Sequence, residues 1–138
     1  MFNVQKLNQT NISPTVAYQN GSSGGYGLNS GIGGGSAYSI YEAGVADHNF
    51  GTTSTNLSLI SGIRVQASSI LNCYVNNTLY VLSPNPINTP SGNFAIGGFP
   101  NNSLSFIGNL SELIFYSTNQ NSYISAIQSN INTYYGIY

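Results

Sequence analysis

Residues 57 to 92 constrain the fold more than any other part of the chain. In "LSLISGIRV" (57–65), Leu57, Leu59, Ile63 and Val65 alternate on one face, which predicts a half-buried strand. "ILNCYVNNTLYVL" (70–82) follows. It predicts a hairpin of Ile70 to Val75 and Leu79 to Leu82 around Asn76-Asn77, because asparagine tolerates the positive φ that a tight turn demands. Three prolines in "SPNPINTP" (83–90) then force an irregular connection, since proline has no N–H to give to a ladder. Short strands separated by such breakers close as a sandwich or a barrel.

The flanking sequence extends the pattern. "YGLNSGIGGGSAYSIYEAG" (26–44) predicts two strands around a glycine-rich turn, the second at Ala37 to Tyr41, and "VADHNFGTTSTN" (45–56) reads as a loop. "NFAIGGF" (93–99), a loop "PNNSLSFIG" (100–108) and a last strand "NLSELIFYS" (109–117) come next. The period then changes. Ile124, Ile127, Ile131 and Tyr135 recur at intervals of 3, 4 and 4, which predicts a helix with one buried stripe, and Gly136 stands where a C-cap glycine belongs.

Composition narrows what such a fold can do. Only 4% of the 138 residues are charged, with two basic and three acidic side chains, against about 25% in an ordinary soluble domain. Lys6 and Arg64 alone supply no footprint for a phosphate backbone or an anionic membrane, so neither nucleic acid nor membrane is expected as a partner. With 41% hydrophobic residues, 11 Tyr and 6 Phe, the chain has enough core formers to fold as one domain. A neutral polar surface loses little on desolvation, which suits packing inside a large assembly or contact with neutral sugars. Cys73 is the single cysteine and alternates with Leu71 and Val75, so it should face the core. The opening "FNVQKLNQTN" has neither the basic nor the apolar region of a secretory signal.

Taken in order, "NCYVNNTLY" (72–80), "FAIGG" (94–98), "IGNLSELIFYS" (107–117) and "IQSNINTYYGI" (127–137) resemble the concanavalin A-like (laminin G-like) jelly-roll domains, in the version with a C-terminal capping helix. Asn77 replaces the usual hairpin glycine, and Asn121 and Ser122 replace acidic residues common early in the helix. The resemblance implies a two-sheet antiparallel β-sandwich with one short C-terminal α-helix over residues 24–138. Residues 1–23 are expected to form an N-terminal arm or edge segment, leaving one sheet short of strands and an edge for a neighbouring subunit to cover.

Candidate chemistry is sparse. Glycosidases on this sandwich use two carboxylates on one strand, whereas Glu112 has no acidic neighbour in sequence and Glu42 and Asp47 lie five apart. No catalytic residue, metal site or cofactor is therefore expected. "VADHN" could seed a calcium loop through Asp47 and Asn49, but a turn in which Asp47 bonds its own backbone is the simpler reading. Tyr41, Asp47, His48, Asn49 and Asn101 form the candidate glycan-contact set. Glu112 shares a predicted face with Leu110, Ile114 and Tyr116, and is expected to anchor its strand by accepting from Arg64, a backbone N–H or a tyrosine hydroxyl.

Two classes of function fit. One is a non-enzymatic structural or adhesion module of a large extracellular assembly, such as a capsid decoration or fibre protein at a virion surface, with subunits of that assembly as partners and neutral glycans as ligands. The other is a free-standing or fused carbohydrate-binding lectin module, with a degenerate glycoside hydrolase as a more distant option.

Overall fold

The structure, a computed structural model, describes residues 1–10, 13–20, 24–30, 36–42, 46–65, 70–82, 93–98 and 105–138. Ten strands and one helix follow in chain order. They are β1 (Phe2–Leu7), β2 (Ser13–Asn20), β3 (Gly24–Ser30), β4 (Tyr38–Glu42) and β5 (Ala46–Phe50). Then come β6 (Leu57–Val65), β7 (Ile70–Val75), β8 (Thr78–Leu82), β9 (Asn93–Ile96), β10 (Gly108–Ile114) and α1 (Ile124–Tyr135). A 3-10 turn, Asn121–Tyr123, leads into α1.

Two five-stranded antiparallel sheets make a β-sandwich, ordered β10-β1-β6-β7-β8 and β5-β4-β3-β2-β9. The 57–65 strand, the 70–82 hairpin, the last strand and the helix all form where their patterns place them. Asn76 adopts φ 55° at the hairpin turn, and Gly136 caps α1 in the left-handed region at φ 61° and ψ 48°. The proline-rich connection lies outside the described residues, as does the glycine-rich turn at 31–35.

Three expectations are corrected. Residues 1–23 are not an arm or an edge: β1 lies between β10 and β6, and β2 lies between β3 and β9. Residues 46–50, read as loop, are the edge strand β5, paired in register with β4 from Tyr38↔Phe50 to Glu42↔Ala46. Leu110 and Glu112 do not share a face. The β1–β10 register passes from Val4↔Glu112 to Gln5↔Leu110, so Ser111 is a bulged extra residue. Glu112 then sides with Val4, and Leu110 with Gln5.

The first sheet is covered on both faces at β1 and β6, which explains its side-chain pattern there. Towards the second sheet, Leu7, Ile60, Leu71 and Cys73 pack with Leu28, Tyr38, Ile40 and Phe50. On the opposite face Phe2, Val4, Leu59 and Ile63 pack under Ile124 and Ile131 of α1. The alternating leucines and isoleucine of β6 thus face the helix rather than the second sheet. Cys73 is fully buried, and that burial, partly offset by the Met1 amino group, pushes its thiol up to about 12.

Polar side chains fix the helix on the sheet. Buried Gln128 donates from Nε2 to Ser61 Oγ at 3.1 Å and to the Asn76 carbonyl at 3.3 Å. At the N-terminal end Asn72 Nδ2 donates to Asn121 Oδ1 at 3.0 Å. At the other end Asn132 Oδ1 accepts from the N–H groups of Ile137 and Tyr138 at 2.8 and 2.9 Å. The Asn132 bonds fix the two residues that follow the helix cap.

Candidate functional site

The candidate glycan contacts are placed by strand register. Tyr41 is opposite Asp47, Ile40 opposite His48 and Ser39 opposite Asn49. Asn49 is exposed and His48 half-buried. The side chains of Tyr41 and Asp47, and all of Asn101, lie outside the described residues. Because Asp47 sits in a paired strand, both the calcium-loop reading and the turn reading of "VADHN" lose their basis in backbone shape. Among the described residues there is no group of three or more His, Cys, Asp or Glu side chains arranged to hold a metal ion.

Arg64 is not brought to Glu112. The row through Glu112 continues across β1 at Val4 to Leu59 of β6, and Arg64 lies five residues further along that strand. At ~3.3 Å per residue along a strand and ~4.8 Å between strands, the two backbones are roughly 19 Å apart. That exceeds what the two side chains can bridge.

The site that does form lies elsewhere, between the end of β10 and the exposed side of α1. It is a cleft of about 820 Å³, within the size range of ligand pockets. Glu112, Ile114 and Tyr116 form one wall, and Tyr123, Ile127, Ile131, Tyr134 and Tyr135 the other. Gln120 and Asn130 add amide groups at the lining. Four tyrosines and one carboxylate therefore surround a partly apolar floor.

Sequence and packing together put the rings there. The Ser111 bulge turns Glu112 towards the helix, and the chain leaving β10 carries Tyr116 along the same side. The Tyr116 ring meets Phe2 edge to face, with centroids 5.8 Å apart and planes at 82°. Tyr134 meets Tyr135 in the same manner at 4.8 Å and 76°. Such contacts hold rings in preferred orientations at little entropic cost on binding. Tyr123 and Tyr134 are 63% and 81% exposed, so the cleft is an open platform rather than an enclosed cage.

Glu112 is the one acidic side chain among the described residues that line the cleft. Among the described residues no hydrogen bond or ion pair reaches its carboxylate, and no Lys, Arg or His lines the cleft. Partial burial raises the Tyr135 hydroxyl above its ordinary range, and the Glu112 and Tyr134 charges add to that shift. The expected anchor, a hydrogen bond accepted by Glu112, does not form among the described residues; Tyr135 is only near enough for its hydroxyl to feel the carboxylate's charge.

The sequence placed Ile114 and Tyr116 on the face of Glu112 but did not bring Tyr123, Tyr134 and Tyr135 to it. Tyr123 and Tyr134 flank the buried stripe of α1, and Tyr116 lies two residues beyond the last strand. For Tyr134 the available signal was an aromatic on the solvent side of an otherwise polar helix face. Compared with models of known families, with characterised proteins and with solved structures, the chain matches none of them.

Proposed function

We propose that this protein is a non-enzymatic adhesion module that grips a sugar chain in the cleft between β10 and α1, carried on a large extracellular assembly such as a virion surface. The observation that carries the reading is the four-tyrosine platform beside a single carboxylate. Tyrosine rings present flat apolar faces to the C–H faces of a sugar while their hydroxyls, with Gln120 and Asn130, can exchange hydrogen bonds with its hydroxyl groups. Among the described residues no second acid lines the same cleft, which favours holding over hydrolysis. The charge-poor composition supports a ligand class recognised by stacking and hydrogen bonds. The free-standing or fused lectin reading uses the same cleft and differs only in what carries the domain. The β-sandwich with its terminal helix is compatible with a concanavalin A-like jelly roll, and we place the chain there on the sequence resemblance.

A glycan array tests this directly. Binding to a defined set of sugars should be lost in Tyr123→Ala and Tyr134→Ala, whose exposed side chains leave the core intact. Absence of any sugar binding by the folded protein would defeat the reading.

The assembly part of the proposal has its own support at the sheet edge. β8 is an outer strand, it carries no charge, and Leu79 and Val81 are 48% and 59% exposed on it. Unguarded apolar edges of this kind are usually blunted with charge in free monomers. Light scattering should find an oligomer, and Val81→Lys should shift it towards monomer; a monomeric parent protein at high concentration would rule this part out.

A further inference from the structure

Among the described side chains the cleft holds one carboxylate and no cation, and this separates one class of sugar from the rest. Glu112 is half-buried in its wall and has no cationic neighbour there. The nearest cation by register is Lys6, two residues along β1 from Val4, the partner of Glu112. Lys6 is exposed, and among the described residues no ion pair joins it to Glu112. Around the carboxylate stand four tyrosine rings, whose faces are electron-rich and attract a cation at short range. The carboxylate and the rings therefore favour the same sign of charge.

We propose that the sugar held in this cleft carries a protonated amine, as in a glucosamine unit, with its ammonium group directed to Glu112 and its ring stacked on the tyrosine platform. This rests on reading the cleft as a sugar site. An open platform distinguishes the occupant from a bare quaternary ammonium group. Such a group depends on rings that enclose and desolvate it, whereas Tyr123 and Tyr134 stand mostly in solvent. An amino sugar retains its hydration on the open side and uses Gln120 and Asn130 for its hydroxyls. The raised Tyr135 hydroxyl agrees with an uncompensated carboxylate nearby.

The test compares two β-1,4-linked tetramers, one of glucosamine and one of N-acetylglucosamine, which share a backbone and differ in charge. Titration calorimetry is run in buffer acidic enough to keep the glucosamine amines protonated. Combining a partly exposed ion pair with a cation–ring contact, the glucosamine tetramer should bind about tenfold more tightly at low salt. That preference should shrink as salt screens the pair, and Glu112→Gln should bring the two ligands towards equal affinity. Equal binding of both tetramers by the parent protein, or a preference that is undiminished in Glu112→Gln, overturns the ammonium proposal and leaves the sugar cleft standing. Binding of neither tetramer, with no sugar bound on the array, overturns both. Thermal melts of the variant confirm that it is folded.

Discussion

Replacing Gln128 with leucine tests how α1, and with it one wall of the cleft, is held. The side chain is 2% exposed, and its Nε2 is shared between Ser61 Oγ and the Asn76 carbonyl. Leucine preserves most of the volume but removes the donor, so both acceptors lose a partner in a place that water reaches poorly. Each lost bond is worth about 0.5–1.5 kcal/mol net, with a further cost where the stranded group stays dry. Better burial of leucine returns about 1 kcal/mol. The expected loss is about 1–3 kcal/mol, or a fall in melting temperature of roughly 3–10 °C for a chain of this size. Ser61→Ala alone should cost about 1 kcal/mol, because Gln128 keeps its bond to Asn76. The double variant should cost less than the sum of the singles by about 1 kcal/mol. Urea unfolding followed by circular dichroism gives all three values. If the single costs add to within 0.3 kcal/mol, or if Gln128→Leu is more stable than the parent, the seating of the helix through this amide is refuted.

Three further expectations concern the sheets. At Gly108 an added Cβ would collide with the Lys6 carbonyl oxygen and lie 3.1 Å from Leu7 Cα, both backbone, so Gly108→Ala should cost about 2–3 kcal/mol. At Gly62 the new Cβ would meet only Ile40 Cδ1 at 3.9 Å, so Gly62→Ala should be near neutral, and equal urea midpoints for the pair would contradict the β1–β10 packing. Asn76 combines φ 55° with an Oδ1 that accepts from the Leu59 N–H at 3.0 Å. Asn76→Gly should lose the bond alone, about 1 kcal/mol, and Asn76→Ala about 1 kcal/mol more for the left-handed backbone; the reverse order would show that the turn does not hold this shape. Cys73, with its thiol near 12, should resist Ellman's reagent at pH 8 in the folded protein and react at once in guanidinium. Its raised value also means that above about pH 9 the unfolded thiol ionises while the folded one does not. Stability should therefore fall by up to ~1.4 kcal/mol per pH unit from this group, a component of the slope that Cys73→Val would lack.

Periodicity carried the parts of the fold whose two faces differ. β6, the β7–β8 hairpin and α1 each show one apolar face and one polar face or a marked turn, and each formed within two residues of its expected bounds. β1 shows why others were not legible. In "FNVQKL" the apolar Phe2 and Val4 serve the helix, while Asn3 and Gln5 are buried towards the other sheet, where Asn3 Nδ2 donates to Gln5 Oε1 at 2.7 Å. A strand buried on both faces, with amides on one of them, looks like a solvated segment in one dimension. β5 fails for a related reason, since "ADHNF" is polar and only its pairing with β4 makes it a strand.

Sequence by itself determined that this chain is a charge-poor, β-rich domain ending in a helix, because alternation, turn residues and the 3-4-4 stripe are local properties. It also marked Glu112 as unusual, because a carboxylate in an apolar strand costs free energy wherever the strand goes. Only the tertiary structure decided which way that carboxylate points and what surrounds it. A one-residue bulge at Ser111, invisible in the pattern, sets Glu112 on the helix side. The tyrosines that join it, at 116, 123, 134 and 135, come from separate elements. They meet because burying Ile124 and Ile131 against Phe2, Val4, Leu59 and Ile63 leaves the helix one way to lie.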